Sequence, residues 1–146
     1  MTNQKDYSTN ILVRATAEQA FEALSIGIKS WWGSTEPPAV HQGTVFTVSW
    51  GEPWYRFKIT AFEEPQRISW TCTDANQIIA GLEGVQKEWV GTQLHWTIEE
   101  MPAGMIKVSL LHQGLVPEFI CFDFCSTTWD SFVQDRLKAY LQELSE

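Results

Sequence analysis

Polar and apolar positions alternate over Tyr7–Arg14, with Ile11 and Val13 on one side and Asn10 and Leu12 on the other, and this period of two predicts a first strand. Thr16-Ala17-Glu18-Gln19 then matches a capping box, in which a hydroxyl and a Gln three residues later satisfy each other's free amides, so a helix is predicted to start there. Ala20, Phe21, Ala23 and Leu24 give that helix one apolar stripe, while Glu18 and Glu22 occupy the early turns where the dipole favours acids. Gly27 ends this helix, or separates it from a short second one through Trp31-Trp32, and residues 33–38, with Gly33 and Pro37-Pro38, read as a breaker segment.

From Gly43 the period returns to two, in runs over residues 44–50, 54–62 and 67–73. Their connectors, Gly51-Glu52-Pro53 and Glu63-Glu64-Pro65-Gln66, are short and turn-forming, which predicts antiparallel neighbours in a meander. Residues 74–86 leave three readings open: a short strand, a helical turn or a mobile flap acting as a lid. Alternation resumes over 88–99 and 105–112, joined by the turn Met101-Pro102-Ala103-Gly104. Over 117–146, Phe122, Cys125, Trp129, Phe132, Leu137, Tyr140, Leu141 and Leu144 line one broad face, opposite Asp130, Gln134, Asp135, Lys138 and Glu143, which predicts one long terminal helix.

Strands segregated from helices in this order imply an α+β fold, with a curved antiparallel sheet of about six or seven strands. One face of that sheet must be covered, and only the terminal helix has the length to do so. At 146 residues the chain fits a single domain, 1–146, that buries roughly 70% of its unfolded surface.

Composition narrows the partners. No stretch of about 18 apolar residues exists to span a bilayer, so no membrane insertion is expected. Ten basic against eighteen acidic side chains give a formal charge of −8, and Lys and Arg form no run, which argues against nucleic acid and against an anionic membrane surface. Three cysteines, Cys72, Cys121 and Cys125, cannot all pair within one chain, and the polar opening Met1-Thr2-Asn3-Gln4-Lys5-Asp6 carries no secretory pattern. Reduced thiols and a cytoplasmic location are expected.

Several local motifs carry a resemblance. Ala20-Phe21-Glu22-Ala23-Leu24 with Trp31-Trp32-Gly33, then Glu88-Trp89-Val90-Gly91-Thr92, Leu111-His112-Gln113-Gly114-Leu115, and Cys121 with Cys125 and Trp129 follow one another in an order that resembles the START-like (SRPBCC) superfamily. The branch it resembles is the one homologous to activators of the 90-kDa heat-shock chaperone's ATPase. The resemblance covers nearly the whole chain and implies a helix-grip fold with a cavity between sheet and terminal helix; it implies no single reaction. Many members of the branch continue into a Gly-rich tail, whereas this sequence stops at Leu144-Ser145-Glu146.

Eight tryptophans set the candidate chemistry. Alternation puts Trp50 on a face with Phe46 and Val48, Trp70 with Ile68 and Cys72, and Trp96 with Leu94 and Ile98. Singly, each ring reads as core filling; together they predict aromatic walls around a pocket of about 300 to 1,000 Å³. The expected ligand-binding set is Trp32, Phe46, Trp50, Phe57, Trp70, Trp96, His112, Phe122, Cys125 and Trp129.

Cys121 and Cys125 share a helical side, but no histidine lies near them in sequence and neither CxxC nor HExxH occurs, so they read as small packed side chains and no metal or cofactor is expected. His112 is the best single polar candidate, with Glu88, Asp123 and Asp130 as conceivable partners, and no nucleophile motif is present. The leading expectation is non-catalytic binding of a small hydrophobic or aromatic molecule, lipid-like or polyketide-like. Two alternatives stand beside it: a chaperone-partner domain, as the branch implies, and a cyclase- or dehydratase-type enzyme with His112 as proton carrier.

Overall fold

A computed structural model describes residues 6–144. The expectations about Met1 to Lys5 and the last two residues of the terminal helix, Ser145 and Glu146, lie outside the described residues.

Seven antiparallel strands form one sheet: β1 (Tyr7–Arg14), β2 (Ser34–Glu36), β3 (Val45–Ser49), β4 (Trp54–Glu63), β5 (Arg67–Asn76), β6 (Gln93–Met101) and β7 (Met105–Gln113). Their order is β1-β7-β6-β5-β4-β3-β2, so the later six strands run as a meander and the first strand closes on the last. Tyr7 pairs with His112 and Arg14 with Met105. Register shifts between Arg56 and Phe57, and between Ile59 and Ala61, interrupt the β4–β5 ladder. Such bulges increase local twist and bend the sheet, which is how it comes to grip a helix.

Helix α1 (Ala17–Ala23) begins at the anticipated capping box: Thr16 Oγ1 accepts from the Gln19 amide at 3.0 Å, and Gln19 Oε1 accepts from the Thr16 amide at 3.0 Å. A single 3-10 turn, Ile28–Ser30, stands where a short second helix was an option.

Residues 34–36 correct the breaker reading, since Ser34 pairs with Ser49 and Glu36 with Thr47 to make β2 an edge strand. Three polar residues carry no alternation of their own, and only the partner strand gives them their conformation. The run over 88–99 is also shortened. Glu88 to Gly91 form turns and the strand starts at Gln93, because Gly91 adopts a φ of +92° and the Glu88 carboxylate is drawn to the amides of Ile120 and Cys121. Within 74–86, residues up to Asn76 extend β5, and the remainder is a loop closed by the Gln77 amide donating to the Gln86 carbonyl at 3.1 Å.

The terminal helix runs over 122–144 in three parts: α2 (Phe122–Asp130), a π-wound stretch (Ser131–Leu137) and α3 (Lys138–Leu144). Cys125, Trp129, Val133, Leu137 and Leu141 are its buried side chains. Each four-residue step overshoots a 3.6-residue turn by about 40°, so a plain α-helix would rotate this row away from the sheet. The wider π winding absorbs the excess, and the five-residue gap from Phe132 to Leu137 falls inside it. Among the described residues, no helix is long and apolar enough to cross a membrane.

Candidate functional site

Where sheet and terminal helix face each other, five rings stand nearly parallel in a column. Trp70 lies 14° from the plane of Trp32, Trp32 27° from Trp129, Trp129 13° from Trp89, and Trp89 24° from Tyr55. Successive centroids are 6.0, 5.0, 5.8 and 4.1 Å apart, the range of offset stacking.

Local sequence explains how each ring is held. The turn after α1 brings the Trp32 amide to the Ile28 carbonyl at 2.9 Å, and the Trp31 indole N–H donates to the Ala23 carbonyl at 2.7 Å, pinning the Trp31-Trp32 pair to the helix end. Trp50 donates to the Trp32 carbonyl at 2.8 Å, and its ring lies so close to Gly33 that a Cβ there would sit 2.7 Å from the indole. Glycine is required at that contact.

Trp129 is fixed from below by His112, which is fully buried. The Trp129 N–H donates to His112 Nδ1 at 3.1 Å, which leaves Nε2 as the protonated nitrogen, donating to Thr92 Oγ1 at 2.9 Å. Thr92 in turn donates to the Trp89 carbonyl at 2.6 Å, so one chain of hydrogen bonds ties two rings of the column together. Gly114, with a φ of +101°, leaves room for Thr92, whose Cγ2 would lie 2.9 Å from a Cβ at that position. Desolvation pushes the His112 imidazole down to about 3, and it stays neutral.

Beside the column a cleft of about 180 Å³ remains, walled by Trp32, Trp50, Tyr55, Trp89, Trp129 and Phe132. Pro53, Ile78, Ile79, Phe124, Cys125 and Thr128 complete its lining. The cleft is smaller than the 300 to 1,000 Å³ expected from the aromatic inventory, because Trp32 fills the middle of the grip. Ile78 and Ile79 come from the 77–86 loop, which thereby borders the opening. Gln77, buried at its base, donates to the Val85 carbonyl at 2.9 Å and accepts from the Tyr55 hydroxyl at 2.6 Å.

Of the residues expected to bind ligand, Trp32, Trp50, Cys125 and Trp129 border the cleft. Phe46, Phe57, Trp70 and Trp96 form a solid floor behind it, all fully buried, with Phe46 5.2 Å from Trp70 and Trp70 5.7 Å from Trp96. The indole N–H groups of Trp70 and Trp96 have no hydrogen-bond partner among the described residues. His112 lies behind Trp129 and Trp89 with both nitrogens engaged, and Phe122 packs half-buried against the core away from the opening. Tyr55, Trp89 and Phe132 were missed. Phe132 sits on the predicted helix face and Trp89 inside a quoted motif, so the signal was present, but alternation placed Trp89 in a strand.

The carboxylates considered as His112 partners are elsewhere. Glu88 accepts from the amides of Ile120 and Cys121 at 2.7 and 3.0 Å, just ahead of α2, Asp130 accepts from the Tyr7 hydroxyl at 2.5 Å, and Asp123 is exposed. Among the described residues, no group of three or more His, Cys, Asp or Glu side chains is placed to hold a metal ion.

A curved seven-stranded antiparallel sheet closed on a long terminal helix is a helix-grip α+β fold. The same fold is found in the Aha1 dimer from Colwellia psychrerythraea, 20% identical over 94% of this chain and 96% of that one, with a TM-score of 0.76. A protein from Mesorhizobium loti is 15% identical over 93% of this chain and 97% of that chain, with a TM-score of 0.73. DynU16, from the dynemicin biosynthetic locus, is 17% identical over 94% of this chain at a TM-score of 0.71, and this chain spans 48% of its length. These likenesses are in fold. No family profile and no curated protein matches the sequence.

Proposed function

We propose that the chain acts as a single cytoplasmic domain that binds, without catalysis, a small flat apolar molecule in the cleft between sheet and terminal helix. The observation that carries this reading is the 180 Å³ space walled by pre-stacked indoles. An apolar cavity of about 150 Å³ is enough to admit a benzene-sized guest, so one aromatic ring, or the ring end of a longer molecule, is the size class that fits. The indoles of Trp50, Trp89 and Trp129 are held by hydrogen bonds and that of Trp32 by stacking between Trp70 and Trp129 before any guest arrives, so little ordering cost is left for binding. Three free, buried cysteines support the cytoplasmic location.

The cyclase or dehydratase alternative loses its proton carrier in His112, which is neutral, doubly hydrogen-bonded and faces no carboxylate. One observation favours the chaperone-partner reading: Ile78 and Phe124, which line the cleft, are each about half exposed, an apolar border of the kind that marks contact surfaces.

A thermal-shift panel of single-ring and two-ring hydrophobic compounds tests the binding reading. A guest at about 100 times its Kd stabilises the fold by about 2.7 kcal/mol and raises Tm, whereas Thr128→Trp, which fills the cleft from its lining, removes the shift. A panel in which no compound moves Tm contradicts it. Retention of a chaperone on immobilised protein, lost in Phe124→Asp, would support the second reading instead.

A further inference from the structure

Cys121 and Cys125 are buried in the core, Cys125 where it lines the cleft, and their geometry is unusual for two thiols. The Cys125 amide donates to the Cys121 carbonyl at 2.7 Å, so the side chains project from adjoining turns on one side, with their sulfurs 2.6 Å apart. A disulfide bond needs about 2.05 Å. The third thiol, Cys72, lies on β5 with its sulfur 3.4 Å from the Asp74 carbonyl. Burial pushes it up to about 12, which makes it the inert one.

The surroundings of the pair favour a thiolate. The Trp89 indole N–H donates to Cys125 Sγ at 3.4 Å, and the single Cys125 proton is within reach of both Cys121 Sγ and Gln77 Oε1, the latter at 3.3 Å. Donation from Cys125 holds the Cys121 thiol below its ordinary range and raises that of Cys125. The pair also stands at the N-terminal end of the long helix, where the dipole favours negative charge, with Glu88 opposing it through the amides of Ile120 and Cys121. Cys125 lines the cleft though only 3% exposed, and Cys121 lies fully buried behind it, so a small hydroperoxide reaches the pair from the Cys125 side.

We propose that Cys121 and Cys125 form a reversible oxidation site that converts a small hydroperoxide into an intrahelical disulfide. One sulfur of the pair, as thiolate, attacks a peroxide oxygen. The O–O bond breaks, the departing oxygen takes up the released proton and leaves as water or an alcohol, and a sulfenic acid remains. The second thiol attacks that sulfur, the S–O bond breaks and water leaves. Two thiols and one hydroperoxide thus give one disulfide, one water and one alcohol or second water.

Closing this bond changes the cleft. Cβ atoms one helical turn apart are about 5–6 Å from each other, against the 3.5–4.5 Å or so that a disulfide spans. The first turn of α2 must tighten, drawing Cys125 away from the Trp89 indole and Gln77 and shifting Phe124 in the cleft lining. Oxidation therefore weakens guest binding, a consequence that rests on the reading of the cleft given above.

The test treats the full chain with hydrogen peroxide, then denatures and alkylates it. The reduced protein takes up three alkyl groups and the oxidised one a single group, at Cys72. Cleavage before Asp123 separates the two cysteines, so a bridged chain yields fragments that stay joined until dithiothreitol is added. Three alkyl groups after oxidation, a bridge involving Cys72, or sulfinic acid without a bridge overturns the proposal. In a second arm, binding of N-phenyl-1-naphthylamine falls several-fold on oxidation, recovers on reduction, and ignores peroxide in Cys121→Ser. A bridge with unchanged probe affinity overturns the gating alone. Probe binding without a bridge leaves the cleft reading standing and removes the oxidation site.

Discussion

His112 shows how one buried residue organises its neighbours. Its two nitrogens have fixed roles, acceptor to Trp129 and donor to Thr92, and it is neutral because the interior offers a proton no compensating charge. The sign of its pH effect follows. The unfolded imidazole takes its proton near 6.5 and the folded one only near 3, so the unfolded state binds more protons in between. Stability from this residue is fully present above pH 6.5 and falls by up to about 1.4 kcal/mol per unit as pH drops toward 3. His112→Gln keeps a donor and an acceptor but cannot titrate, so urea unfolding across that range gives a shallower acid limb, together with a loss at neutral pH of about 1–2 kcal/mol. An unchanged acid limb would mean that another group governs it. In the sequence, His112 at a strand end was legible as the polar residue to watch. Its role was not, because Trp129 and Thr92, which decide it, are brought to it only by the fold.

Among the elements, those with their own period were readable and those shaped by a partner were not. β1, β4, the capping box and the amphipathic terminal helix each carry a local signal, and each lies close to where that signal put it. β2 takes its conformation from β3, the 77–86 loop from Gln77 and its neighbours, and the turn at Glu88 from the helix end it serves. That last contact has a measurable weight. The Glu88 carboxylate accepts two amides ahead of α2, so Glu88→Ala is expected to lower stability by about 1 kcal/mol and to speed hydrogen exchange at Ile120 and Cys121 more than within the helix that follows. Uniform exchange along the helix would show that the capping contact is dispensable. The π-wound stretch has a sequence trace too, in the row of apolar residues four apart, but a count of faces alone does not reveal how the backbone keeps them aligned.

For the whole molecule, the aromatic set was legible and its division was not. Alternation along strands tells which rings point inward, and Phe46, Phe57, Trp70 and Trp96 do. It is silent on which inward rings meet each other and which are left facing space, because that depends on where Trp32 and Trp129 arrive from the two helical segments. The fold therefore holds a filled half, with the floor sealed by Trp70 and Trp96, and a half-filled one, where Trp32, Trp89 and Trp129 line the cleft. The most direct measurement of that division is an NMR titration of the indole N–H resonances with toluene or naphthalene. Binding in the cleft shifts the signals of Trp32, Trp89 and Trp129 in a saturable way and leaves those of Trp31 and Trp96 in place. Signals that stay unmoved at saturating guest, or shifts confined to residues outside the cleft, would contradict it.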